Sequence, residues 1–202
     1  MAPAGSFESL AAALQGGADS VYFGIGKLNM RSRATANFAE EDLPEIVARC
    51  HETGAKAYLT LNIIVYDEEL ETVRNLCAAA KAAGVDAVIA SDLAVITHAH
   101  SIGLEVHMSV QANVCNMASV RFYAQYADVV VLARELTLGQ IRRIIDGIRD
   151  EGIRGPSGDL IRVEIFAHGA LCVAVSGKCH MSLAAYNSSA NRGRMRKRAT
   201  NW

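Results

Sequence analysis

The chain has 202 residues, 51% of them apolar and 20% charged, with a mean hydropathy of +0.16, which is enough apolar side chain for a sizeable core. That balance excludes a disordered, collagen-like or low-complexity chain. No apolar run approaches the roughly 20 residues that span a bilayer and no basic-then-apolar leader opens the sequence, so the expectation is a cytoplasmic protein with no membrane partner.

The formal charge of −1 conceals an asymmetry. Arg192, Arg194, Arg196, Lys197 and Arg198 crowd the end of the chain with no acid among them, which leaves the body acidic. Contact with a phosphate backbone therefore has to be local.

In chain order, short β-branched runs alternate with amphipathic helical windows. Strands are expected over Ser20–Gly24, Lys56–Leu61, Ala87–Ala90, Leu104–Val110, Asp128–Ala133 and Ile161–Ala167. Helices are expected over Phe7–Gln15, Glu41–Thr53, Glu68–Ala83, Leu93–Ile102, Asn113–Tyr126 and Leu138–Asp150, most of them closed by a glycine. Repeated βα steps imply parallel strands with crossover helices. Both a (β/α) barrel and an open doubly wound sheet fit that order, and no glycine-rich nucleotide loop follows the first strand to favour the second. Met1–Gly5 runs straight into a helix, so the opening strand reads as cut off. The far end lacks a further βα pair, so the expected fold is an α/β, TIM-barrel-like domain truncated at both ends, incomplete over 1–190, with a basic tail over 191–202.

In such folds the working residues gather where strands end. Asn29 and Arg31 follow the first visible strand, Asn62 ends the second, and Ser91 and Asp92 end the third as good helix caps. His107, Ser109 and Gln111 alternate along the fourth and so share one face, the lumen of a barrel. Arg134 and Glu135 end the fifth and His168 the last. A His–Ser pair invites a hydrolase reading, but two residues on one strand lack an orienting carboxylate, and no Gly-x-Ser-x-Gly elbow or His-Glu-x-x-His motif occurs.

Five cysteines without a secretion signal argue for thiols or metal ligands over a disulfide framework. Cys50, Cys77 and Cys115 lie in helical apolar patterns and read as small buried hydrophobes. Cys172 and Cys179 flank a loop just past the last strand, at the mouth, where thiolates suit soft metals or an iron–sulfur cluster.

Several stretches carry a resemblance: Ala2-Pro3-Ala4-Gly5-Ser6, Gly17-Ala18-Asp19-Ser20-Val21-Tyr22-Phe23-Gly24, Leu28-Asn29-Met30-Arg31, Tyr58-Leu59-Thr60-Leu61-Asn62 and Val131-Leu132-Ala133-Arg134-Glu135-Leu136. The most specific are His168-Gly169-Ala170-Leu171-Cys172, Ser176-Gly177-Lys178-Cys179-His180-Met181-Ser182 and Asn191-Arg192-Gly193. In their order along nearly the whole chain they resemble the peptidase U-32 family of collagenase-like proteins. The resemblance implies a TIM-barrel-like amino-terminal domain. It implies one of two activities, peptidase action on collagen-like substrates or oxygen-independent hydroxylation of a tRNA uridine, a ribosomal RNA cytidine or a ubiquinone precursor.

The hydroxylating members imply a 4Fe-4S cluster on four cysteines, with prephenate as hydroxyl source in the RNA branches. Cys172 and Cys179 would be the first two metal ligands, whereas Met195 stands where the third is expected. An out-of-frame reading after Gly193 would account for both that departure and the basic tail. On the hydroxylase reading, His107, Gln111, Glu135 and His168 are catalytic candidates. Asn29, Arg31, Asn62, Ser109 and Arg134 are the substrate-binding candidates, the two arginines as carboxylate clamps, and RNA is the partner. A peptidase and an inactive truncated scaffold remain the alternatives.

Overall fold

The computed structural model describes residues 1–26, 28–30, 38–169, 174–187 and 189–193. Seven strands form one parallel sheet: β1 (Ala2–Ala4), β2 (Ser20–Phe23), β3 (Lys56–Leu61), β4 (Ala87–Ala90), β5 (Val106–Met108), β6 (Val129–Val131) and β7 (Arg162–Glu164). Their spatial order is their sequence order. A doubly wound sheet reverses direction at a switch point, so this order selects the barrel-like architecture. β1 and β7 form the two edges of the sheet and are not paired with each other.

The opening strand is short, three residues long. Ala2, Pro3 and Ala4 pair in parallel with Val21, Tyr22 and Phe23. Three residues with a proline read poorly as a strand, yet proline is tolerated at a sheet edge because one side of that strand needs no donor.

Helices α1 (Phe7–Gln15), α2 (Leu43–Glu52), α3 (Leu70–Ala82), α4 (Leu93–Ser101), α5 (Met117–Tyr123) and α6 (Leu138–Glu151) connect the strands, and α7 (Met181–Tyr186) follows β7. Their starts obey local chemistry. Ser6 and Ser9 form a capping box on α1, Thr137 and Gln140 another on α6, and Asp92 caps α4 by accepting the Ala94 N–H at 2.9 Å. Gly152 ends α6 with a left-handed backbone at φ 62°.

Strand alternation separates two apolar layers. Val21, Phe23, Leu59, Leu61, Val88, Val106, Met108, Val130 and Leu132 face the helices and pack with Leu10, Ile46, Val73, Val95 and Ile144. Each such large side chain contributes about 1.5–3 kcal/mol when fully buried. Tyr58, Ala87 and Ile89, with Tyr22 against them, lie on the opposite, inner face.

Several boundaries moved: β6 and β7 are shorter than the expected Asp128–Ala133 and Ile161–Ala167, and the region of β5 and α5 differs most. The strand expected over Leu104–Val110 is only Val106–Met108, because Ser109 caps a 3-10 turn over Val110–Ala112 and Asn113 takes a left-handed conformation at φ 52°. Helix α5 consequently begins at Met117, capped by Asn116, and Cys115 is exposed ahead of it rather than buried within it. No helix among the described residues is long and apolar enough to cross a membrane.

Candidate active site

The carboxyl ends of β3, β4 and β5 frame a cavity of about 110 Å³ lined by Asn62, Ser91, Asp92, Gln111, Gly177 and Asn191, among others. A chain of polar contacts builds it. Met30 donates its backbone N–H to Asn62 Oδ1 at 3.3 Å, and Asn62 Nδ2 donates to Ser109 Oγ at 3.3 Å. Ser109 Oγ also accepts the Gln111 backbone N–H at 3.3 Å. Three of the expected site residues, Asn62, Ser109 and Gln111, are thus brought together.

Asn29 stands behind them. It is 0% exposed, its amide donates to the Ile25 and Gly26 carbonyls at 3.2 and 3.3 Å, and it occupies the space a Cβ would need at Gly24. The geometry makes it an organiser of the loop after β2. Arg31 lies outside the described residues.

Arg134 and Glu135 hold the loop that carries Gly177. Ser176 Oγ accepts the Arg134 backbone N–H at 3.3 Å and its Nε–H at 3.4 Å, while Arg134 Nη2 donates to the Ala174 carbonyl at 3.1 Å. Ser176 in turn donates its backbone N–H to Glu135 Oε1 at 2.6 Å. Burial acts upward on the Glu135 carboxyl but is outweighed by the hydrogen bonds from Ser176, so its pKa falls below the ordinary value. The loop lies so close to Gln111 that a Cβ at Gly177 would fall on the Gln111 carbonyl oxygen.

His107 does not join Ser109. It sits lower on the inner face at 3% exposure, with Nε2 2.9 Å from Glu105 Oε1 and its ring edge-on to Tyr58 at 4.6 Å. Its Nδ1 is buried without a hydrogen-bond partner. An orienting carboxylate therefore does exist, contrary to the expectation from sequence. Glu105, His107 and Ser109 share one strand face, and extending the period-two pattern one step back would have found it. Arg162 also reaches Glu105, at 2.6 Å. The His107 hydrogen bond, then the Arg162 charge, hold the Glu105 carboxyl below its ordinary pKa, whereas burial pushes Glu164 up.

His168 stands exposed beyond β7. Cys172 lies outside the described residues, and Cys179 is a half-buried free thiol. Cys50 and Cys77 are buried under the helices, where burial pushes both thiols up to about 11. They are structural hydrophobes. Among the described residues no group of three or more metal-ligating side chains comes together.

The segment around residue 190 is also packed against the body. Ala190 is fully buried, and Arg192, expected in a solvated tail, grips Glu69 with two 2.6 Å contacts and stacks its guanidinium over the Tyr66 ring at 4.2 Å. Ile64 donates its backbone N–H to the Asn191 carbonyl at 3.1 Å. Asn191 and Glu69 are functional candidates that the sequence reading missed. Nothing local links them to the cavity.

Curated relatives that the chain matches include a protein named Collagenase and proteins named for RNA hydroxylation. The chain is 54% identical over 193 residues to the protein named Collagenase in Porphyromonas gingivalis strain W83, covering 96% of this chain and 47% of that one. It is 37% identical to the 23S rRNA 5-hydroxycytidine C2501 synthase of Escherichia coli, covering 88% of this chain and 25% of that one. With the tRNA hydroxylation protein P of the same organism it shares 36% identity, over 90% of this chain and 38% of that one. The chain spans less than half the length of each. The solved structure of the U32 peptidase Mk0906 superposes with a TM-score of 0.61 at 15% identity, covering 81% of this chain and 65% of that one, a likeness of fold alone. The family model of peptidase family U32 matches residues 5–198, nearly the whole sequence, and so the chain belongs to peptidase family U32.

Proposed function

We propose that this chain forms the barrel part of an RNA-hydroxylating enzyme of the family, acting on a pyrimidine and closest in kind to the tRNA uridine branch. One observation carries the choice. Ser109 is 2% exposed, its hydroxyl accepts hydrogen bonds from Asn62 and Gln111, and the neighbouring histidine is engaged by Glu105 instead. A serine hydrolase needs the reverse, an accessible hydroxyl hydrogen-bonded to the imidazole. Relatives named for tRNA hydroxylation and for 5-hydroxycytidine synthesis support the RNA reading.

On this reading a single-stranded or flipped base enters at the strand ends, because its reacting edge is out of reach inside a duplex. Prephenate is the co-substrate, with Arg31 and the spare donors of Arg134 as its carboxylate partners. The acidic body leaves RNA affinity to a region outside it. Cys172 and Cys179 are proposed as two thiolates of a cluster, and no reaction step is assigned to it.

The 54% identity to a protein named Collagenase favours a second reading, hydrolysis of collagen-like peptides. One anaerobic preparation separates the two when it is assayed for iron and sulfide, for prephenate-dependent hydroxylation of unmodified tRNA, and for gelatin cleavage. A hydroxylated uridine in the digested tRNA supports the first reading. Gelatin cleavage unaffected by Cys179→Ser, with no change in the RNA, overturns it in favour of the second.

A further inference from the structure

The cavity formed by Asn62, Ser91, Asp92, Gln111, Gly177 and Asn191 is polar, yet among the described residues no Lys or Arg lines it. Its one carboxylate, Asp92, already accepts backbone N–H groups from Ala94 at 2.9 Å and Val65 at 3.0 Å. A carboxylate or phosphate entering there would meet a carboxylate wall and no cation to pair with. At about 110 Å³ the space is several times the roughly 30 Å³ share of one water, which suits a ring-sized group.

Its free hydrogen-bonding capacity has a pattern. Asn191 Oδ1 is buried with no hydrogen-bond partner among the described residues. The residue is pinned in place from behind, because its carbonyl accepts the Ile64 N–H while the adjoining Arg192 is clamped on Glu69 and the Ile64 carbonyl. Asn62 Nδ2 keeps a second N–H after bonding Ser109, and the Gln111 side-chain amide makes no hydrogen bond among the described residues. An orphaned buried acceptor beside unspent amide donors asks for a neutral partner that offers both a donor and an acceptor.

We infer that this cavity is a subsite for the imide or amide edge of a pyrimidine base. The ring N–H is accepted by Asn191 Oδ1, and a ring carbonyl takes an N–H from Gln111 or Asn62. The inference rests on the RNA-directed reading and goes beyond it. It assigns the base to a cavity with no cation among its described lining residues and leaves the carboxylates of a co-substrate to Arg134. Arg192 and Glu69 are positioning residues, holding Asn191 against the cavity without touching the ligand.

The test is a titration of the 15N-labelled 202-residue chain with uridine, a probe that carries no phosphate. The expected result is saturable shifts of the Asn62, Gln111 and Asn191 side-chain amide resonances, with affinity at least tenfold weaker in Asn191→Ala. If Asn191→Ala does not fold, Gln111→Ala gives the same comparison. Absence of shifts at millimolar uridine overturns the inference, as do equal or larger shifts with prephenate or with N-acetylglycinamide. Prephenate-dependent hydroxylation of tRNA without uridine shifts would sink the subsite and keep the RNA reading. Uridine shifts together with gelatin cleavage and an unchanged tRNA would sink that reading and keep the subsite.

Discussion

Arg192 and Glu69, 123 residues apart in the chain, meet in a two-pronged pair with both N···O distances at 2.6 Å. Their side chains are only 14% and 23% exposed, and the Tyr66 ring covers the guanidinium. Two charge-assisted hydrogen bonds shielded from solvent are worth more than a surface ion pair. Glu69→Gln is therefore expected to lower stability by about 1–3 kcal/mol, since it weakens both bonds and leaves a half-buried cation poorly compensated. Urea unfolding of the two proteins measures it. A midpoint unchanged within error would show that the clamp is dispensable.

Glu105 and Glu164 should respond to acid in opposite directions. The Glu105 carboxyl is held low by its hydrogen bond from His107, so its contribution is present above the ordinary carboxylate range and fades as pH falls through its lowered pKa. Burial raises Glu164, so its carboxyl favours folding below the ordinary value, and that benefit is lost as pH rises through its raised pKa. Glu105→Gln is expected to destabilise the chain at pH 7, and Glu164→Gln to stabilise it. Both differences should shrink toward pH 4. Denaturation series from pH 4 to 8 check both signs.

Gly177 combines a left-handed backbone, φ 73°, with contact against the Gln111 carbonyl. Gly177→Ala carries a conformational cost of about 1–2 kcal/mol and a steric overlap with backbone, which cannot swing away as a side chain would. The loop from Ala174 to Cys179 should lift from its seat on Arg134 and Glu135. The expected readout is a several-fold faster reaction of the Cys179 thiol with a disulfide reagent and new proteolytic cleavage in this loop. Unchanged rates would mean that the loop is not docked through this glycine.

Thiol reactivity should divide the cysteines by burial. Cys50 and Cys77 are fully buried and burial pushes their thiols up to about 11, so at pH 8 they are both inaccessible and protonated. Cys115 is exposed and Cys179 half-buried. Alkylation of the native protein followed by peptide mass mapping should label Cys115 and Cys179 within minutes and Cys50 and Cys77 only after unfolding. Early labelling of Cys77 would contradict the packing of α3 against the sheet.

What the sequence by itself determined is local. Short apolar runs placed β3 and β4 at the right residues, Asp92 announced its helix, and strand ends pointed to Asn62, Ser109 and Gln111 because βα geometry leaves few other places for polar side chains. Local signals also misled in definable ways. Pro3 hid a three-residue edge strand, and the apolar flavour of Val114 and Cys115 hid the turn that delays α5. Tertiary structure alone decided which side chains are already engaged. Arg134 and Glu135 grip the Ser176 loop, His107 turns to Glu105, and Arg192 crosses to Glu69, which leaves the Asn191 oxygen unpaired at the cavity. Those pairings join residues far apart in sequence or choose among several partners in reach. They are settled by how the curled sheet brings loops together, and no short stretch of chain encodes that.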